Sequence, residues 1–236
     1  MKIVKDYCFD KHEKLKSVIF PENSELENID HCVFSECSIK KLVLPKSLKS
    51  FEEDCFQYIK NLTEIKISPE NKYYSLLDNT YLLGKSDKES DVFDVLCFAT
   101  RDIEKAVIPS YIKVINNYAF QNCSQLRSLI FKPKSLLEKI CIFTFSDIPG
   151  QEKIVIPPLV TYLGDFSFCG VENLKTIEFL GKSLILNFSC LSVCKLLSVV
   201  SFPNAEYITF KYRTISEIPK NAKIFVRRNA ILTGTD

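Results

Sequence analysis

The stretch IEKAVIPSYIKVINNYAFQNCSQ, residues 103 to 125, repeats the stretch IKKLVLPKSLKSFEEDCFQYIKN, residues 39 to 61, with Pro109 on Pro45, Ile115 on Phe51 and Phe120 on Phe56. Self-similarity at a fixed period decides a fold before local propensity does, because each repeat is a unit that cannot bury its apolar face alone. The same frame fits residues 15–38, 126–151, 152–173, 174–196 and, with drift, 197–221. The spacing falls in the range of roughly 20 to 29 residues typical of leucine-rich repeats. Eight or nine units account for the chain, read as one solenoid over residues 1–236.

Each unit opens with an apolar, x, x, apolar, x, apolar segment: Leu15, Val18 and Phe20; Leu62, Ile65 and Ile67; Leu126, Leu129 and Phe131; Leu174, Ile177 and Phe179. The final alternation has period 2, which predicts a short strand with one buried face. Prolines 21, 45, 109, 157 and 203 follow these segments and end the strands, since proline has no N–H to give to a ladder. Strands one repeat apart then lie side by side in parallel, covered by return segments whose Ile29 and Phe34, Ile115 and Phe120, Leu163 and Phe168 fill the interior. Residues 68–102 break the period. Tyr81 to Gly84 and Val92 to Phe98 are β-like runs separated by the polar GKSDKES, so a β-hairpin insertion between repeats is expected there.

Composition agrees with a packed repeat domain: 46% hydrophobic and 25% charged residues exclude disorder. The net charge of +2 gives no global field favouring nucleic acid or an anionic membrane. The opening MKIVKDYCFD carries Lys2, Lys5 and Asp6 and has no apolar run of signal-peptide length. Apolar runs such as Leu184 to Phe188 and Val199 to Phe202 fall far short of the roughly 20 residues that span a bilayer, so no transmembrane segment is expected.

The run VIPSYIKVINNYAFQNCSQL, residues 107 to 126, sets strand, IP, two spaced apolar residues, AF, C and L in a fixed order. This order resembles the BspA-like class of leucine-rich repeats, and the resemblance extends over essentially the whole chain. It implies a β-rich fold of the α/β repeat class, a right-handed leucine-rich-repeat solenoid with a stacked parallel sheet. It also implies a role in attachment or protein recognition, often at a microbial surface. A cytoplasmic scaffold on the same fold is the alternative, favoured by the missing apolar leader and by free thiols.

Ten cysteines invite a disulfide or metal reading. Their places in the repeat argue for packing. Cys37, Cys123 and Cys194 stand three positions after Phe34, Phe120 or Leu191, and Cys8, Cys55 and Cys190 directly precede Phe9, Phe56 or Leu191. Other units put Ala119 or Ser167 in the second slot, so the slot asks for a small, weakly polar side chain. Cys32 and Cys37 beside His31, and Cys190 with Cys194, lack a second pair at zinc-like spacing, so no metal or other cofactor is expected. A Cys32 nucleophile with His12 as base has no orienting motif beside it, and no phosphate loop or nucleophile elbow is present, so no catalytic residue and no small-molecule substrate are expected.

The expected binding face is the exposed sheet. Between the last two apolar positions of each strand frame stand Ile19, Val43, Lys66, Val107, Ile130, Val155 and Glu178, followed by Ser201 and Phe225. In register these residues make an apolar stripe, the kind of surface that recognises a protein partner: a host, matrix or intracellular protein. The C-terminal basic cluster of Lys211, Arg213, Lys220, Lys223, Arg227 and Arg228 reads as a solvated cap, since terminal repeats need a polar outer face.

Overall fold

The computed structural model describes residues 1–214 and 217–234; Ile215, Ser216, Thr235 and Asp236 lie outside the described residues. Strands are numbered β1 to β21 along the chain. The front of the solenoid is built from β2 (Ser17–Ile19), β4 (Lys41–Leu44), β6 (Glu64–Ile67), β10 (Lys105–Ile108), β12 (Ser128–Phe131), β14 (Lys153–Ile156), β16 (Thr176–Phe179), β18 (Val199–Phe202) and β20 (Lys223–Val226). The back is built from β1 (Ile3–Val4), β3 (Asn28–Ile29), β5 (Ser50–Phe51), β9 (Val95–Ala99), β11 (Val114–Ile115), β13 (Lys139–Ile140), β15 (Tyr162–Leu163), β17 (Ser183–Leu186), β19 (Tyr207–Phe210) and β21 (Ile231–Gly234). Between β6 and β9 run β7 (Ser75–Leu77) and β8 (Tyr81–Gly84).

Each circuit passes a front strand, a back strand and a tight turn segment, and paired strands of successive circuits run parallel. The strands β2, β4, β10, β14 and β18 end one or two residues before Pro21, Pro45, Pro109, Pro157 and Pro203, as the missing proline N–H requires. No helix occurs among the described residues, and the return segments are turns.

Inside, the key phenylalanines of the turn segments stack on one another. Phe9, Phe34 and Phe56 follow at 5.7 and 5.9 Å with nearly parallel planes, and Phe120, Phe145 and Phe168 at 5.0 and 5.1 Å. Offset stacking adds about 0.5–1.5 kcal/mol per pair to the burial of the rings. The turn segments hold non-glycine residues at positive φ, among them Tyr118 (59°), Asn122 (59°), Phe143 (51°) and Asp147 (55°). Side chains seldom adopt this conformation. It persists because alternate N–H groups reach the next circuit: Tyr118 to the Ile142 carbonyl (2.9 Å), Phe120 to Thr144 (2.9 Å) and Asn122 to Ser146 (3.2 Å).

The apolar interior is divided in two. One core runs from Val4 to Ile65, the other from Ile103 to Ile218, and β8 and β9 stand between them. Tyr81, Leu83, Leu96 and Ala99 face the second core, whereas Leu82, Val95, Cys97 and Phe98 face the first. Both strands are buried throughout, which explains their continuous apolar run. The strands β7, β8 and β9 pair antiparallel, with an irregularity between Leu82 and Leu83, and β9 also pairs parallel with β11. Thus β9 is itself a back strand of the solenoid. It starts at Val95 rather than Val92, because Asp94 turns inward to accept from the Ser86 N–H (2.8 Å), the Ser86 hydroxyl (2.7 Å) and Lys113 Nζ (3.0 Å).

What this circuit lacks is its turn segment. Twelve residues, 116–127, link β11 to β12, but only five, 100–104, link β9 to β10. The Arg101 side chain occupies the gap. Its Nε donates to the Ile59 carbonyl (3.1 Å), Nη1 to those of Ala99 and Ala119 (both 2.8 Å) and Nη2 to that of Tyr118 (3.0 Å). Across the same gap the Tyr58 N–H finds the Gln121 side-chain carbonyl at 2.8 Å. Two side chains therefore replace the backbone ladder of a missing turn.

Candidate protein-interaction surface

On every front strand the first and third residues point outward. The third positions are the residues singled out from the repeat frame, and the structure aligns them in blocks. Ile19 pairs in register with Val43 and Val43 with Lys66; Val107 pairs with Ile130; Val155 pairs with Glu178, Glu178 with Ser201 and Ser201 with Phe225. Ile19, Ile130, Val155 and Phe225 are exposed at 59, 40, 37 and 53%, so the column offers apolar surface to solvent. Its charges are matched within the sheet, Lys66 to Glu64 (3.3 Å) and Glu178 to Lys153 (2.9 Å).

The front is three sheets rather than one: β2-β4-β6, β10-β12 and β14-β16-β18-β20. The first break follows from the missing turn, and there the Val107 N–H is taken by the Tyr81 hydroxyl at 3.2 Å. At the second break the Gln151 side chain acts as a substitute peptide unit. Its Oε1 accepts from the Leu129 N–H (3.1 Å) and its Nε2 donates to the Leu129 carbonyl (3.0 Å). The chain reaches this position through Gly150, whose φ is +63° and where a Cβ would lie 2.5 Å from Val171 Cγ1.

A second apolar patch was not found from the repeat frame. On the back, Ile185, Tyr207 and Ile231 are exposed: Ile185 continues the outward position of Tyr162 on β15, whereas Tyr207 and Ile231 stand in register with Ser183 at an outward position gained as β17, β19 and β21 lengthen to four residues. The alternation in SLIL, YITF and ILTG carries that signal. The basic cluster is partly matched: Arg227 lies 3.6 Å from Glu206, which Lys182 outside the cluster also approaches at 3.3 Å, and Arg213 lies 4.0 Å from Glu217.

All ten cysteines are free, and seven are buried. The slot after the key ring has a bonding role: the thiols of Cys37, Cys123 and Cys194 reach the carbonyls of His12 (3.6 Å), Thr100 (3.8 Å) and Phe168 (3.0 Å) in preceding segments. Burial pushes the Cys194 and Cys141 thiols up to about 12. Cys32 Sγ points towards Asp54 Oδ2 (3.6 Å) and Gln57 Oε1 (3.7 Å), and the histidine sharing Asp54 is His31, at 3.1 Å, while His12 Nδ1 lies 2.9 Å from the Asp10 carbonyl. Burial and the Asp54 carboxylate raise the Cys32 thiol, the opposite of nucleophile activation. Among the described residues no group of three or more His, Cys, Asp or Glu side chains is placed to hold a metal ion, and no helix is long and apolar enough to cross a membrane.

Comparison with known proteins agrees with this geometry. The BspA type leucine rich repeat region model matches in six copies over residues 1–81 and 93–218, leaving out most of β8 and the tip that follows it. A leucine-rich repeat protein from Eubacterium ventriosum superposes with a TM-score of 0.79 at 23% identity, over 94% of this chain and 56% of that one. The pneumococcal vaccine antigen PcpA gives 0.69 at 20% identity, over 97% of this chain and 66% of that one. A leucine-rich cell surface protein from Faecalibacterium prausnitzii gives 0.63 at 19%, over 85 and 57%. This chain thus spans between 56 and 66% of the length of these structures. No curated protein matches it. With the front and back strands of successive circuits stacked in parallel and the repeat model matched over most of its length, this protein belongs to the BspA type leucine-rich repeat family.

Proposed function

We propose that the chain is a non-catalytic recognition module that binds a protein partner across its front sheet, in an adhesion or surface-interaction role. The observation that carries this reading is the outward column of Ile19, Val43, Val107, Ile130, Val155 and Phe225, held in register by the ladder within each of the three front sheets and interrupted by charges already matched there. Contiguous apolar surface of this kind marks recognition sites. An extended sheet suits a large partner better than a small substrate. Two of the similar structures, a vaccine antigen and a cell surface protein, support the surface role. The test is the double variant Ile130→Asp, Val155→Asp. Partner binding is expected to be lost while the fold stays intact, and unchanged binding by the folded variant overturns the reading.

The free thiols favour a second reading, an intracellular scaffold. Antibody labelling of intact and permeabilised source cells separates the two. Labelling of intact cells supports the surface role, and labelling only after permeabilisation supports the scaffold.

A further inference from the structure

Where the front breaks between β6 and β10, a pocket of about 360 Å³ opens beside Val107, the outward residue of β10. No strand stands there to take the Val107 N–H, and the Tyr81 hydroxyl accepts it at 3.2 Å. Tyr81 lines the pocket and is only 5% exposed, yet among the described residues its own hydroxyl proton has no acceptor. A phenol both donates and accepts, so the donor half of this buried group is unspent. Burial, and with it the Asp78 charge, raises the Tyr81 pKa from the ordinary value, so the hydroxyl keeps that proton at neutral pH.

Two ammoniums stand on the same pocket: Lys105, at the first outward position of β10, and Lys132, directly after β12. Elsewhere on the front, Lys41, Lys66 and Lys153 each have a carboxylate, at 2.9, 3.3 and 2.9 Å. Lys105 and Lys132 are paired with none among the described residues. Asp78 is the one carboxylate in the lining, so two cations against one anion leave the pocket positive.

The geometry points to an anchor for the partner: on the front-sheet reading, on which this inference rests, an aspartate or glutamate side chain of the protein partner enters the pocket at the sheet break. One carboxylate oxygen accepts the Tyr81 O–H, and the charge meets Lys105 and Lys132. Apolar neighbours in the partner lie on Val107 and on Tyr111, which is 40% exposed. The break thus supplies charge selection and register, which a column of aliphatic side chains lacks.

The experiment is a titration of the full ¹⁵N-labelled chain with acetyl-Gly-Val-Glu-Val-Gly-amide, with the glutamine peptide of the same frame and sodium acetate as controls. A carboxylate that accepts from Tyr81 polarises its oxygen and strengthens the bond from Val107, so the Val107 amide proton is expected to move downfield, saturably, with the glutamate peptide alone. Binding by Lys105→Gln, Lys132→Gln is expected to be at least about fivefold weaker, as two lost charge pairs imply, and binding by Asp78→Asn tighter. Both lysines and Asp78 are exposed, so these variants leave the core untouched. The proposal is overturned by no saturable shift at concentrations on the order of millimolar, by equal shifts with the glutamine peptide or with acetate, or by unchanged affinity in the double variant. Shifts of Ile130 and Val155 without Val107 also overturn it, and they leave the front-sheet reading standing.

Discussion

The buried Arg101 guanidinium lies 4.0 Å from the centre of the Phe98 ring, and among the described residues no carboxylate pairs with it. Its charge is met by four main-chain carbonyls and by the ring face. Burial lowers its pKa from the ordinary value, yet arginine stays charged. The charge therefore belongs to the fold, as the fastener that closes the circuit lacking a turn.

Replacing Arg101 by Met keeps the length of the side chain and leaves the carbonyls of Ile59, Tyr118 and Ala119 without this donor. A loss of about 3–5 kcal/mol is expected, in the range for breaking buried charged networks. Arg101→Lys keeps the charge but not the planar fork, so its stability should fall between the two. Urea denaturation of the three proteins measures the order. Equal stability of Arg101→Met and the parent chain contradicts the fastener role.

Asp94 anchors the tip between β8 and β9, with a side chain only 4% exposed. Burial opposes its ionisation, but the Ser86 N–H, the Ser86 hydroxyl and the Lys113 ammonium outweigh burial and hold the carboxyl below the usual carboxylate range. A depressed folded pKa stabilises above the unfolded value of about 3.9 and loses that stability as pH falls through the folded value. Asp94→Asn should cost about 1–3 kcal/mol at neutral pH and less in acid. Denaturation midpoints of both proteins at pH 7 and pH 3 give the comparison; a constant difference rejects it.

His31 behaves in the opposite sense. Its hydrogen bond to Asp54, with the carboxylate charge behind it, raises its pKa from the ordinary value. The bond favours the folded state below the unfolded pKa near 6.5 and is lost as pH rises through the folded pKa. In Asp54→Asn the His31 proton resonances should titrate at lower pH than in the parent chain. No downward movement of that midpoint means the contact is not formed in solution.

The thiols give a prediction for labelling. Cys8 is exposed, whereas Cys55, Cys97, Cys123 and Cys190 are fully buried with pKa values raised by burial. Since the thiolate is the reactive form, brief alkylation of the native protein followed by peptide mass spectrometry should mark Cys8 first and spare those four. Rapid labelling of Cys123 or Cys190 means the turn segments open readily.

Much of this architecture was legible in the repeat. Pro109 over Pro45 and Phe120 over Phe56 set the period, and the period places the front strands, their ends and the stacked rings. The outward positions followed from the same frame. The breaks did not, because they depend on contacts far apart in sequence. Arg101 meets Ile59 across 42 residues, and Tyr58 meets Gln121 across 63. Gln151 looks like any polar loop residue until its amide is seen against Leu129. The wall between the two cores was hidden for another reason: a strand buried on both faces has no alternation to reveal which core each side chain enters.

Side-chain hydroxyl-radical footprinting of the chain, free and bound to its protein partner, tests the front-sheet reading most directly. The account predicts protection of Ile130, Val155 and Phe225, with Ile185 and Tyr207 on the back sheet oxidised equally in both states. Protection confined to Ile185, Tyr207 and Ile231, with the front column unchanged, contradicts it.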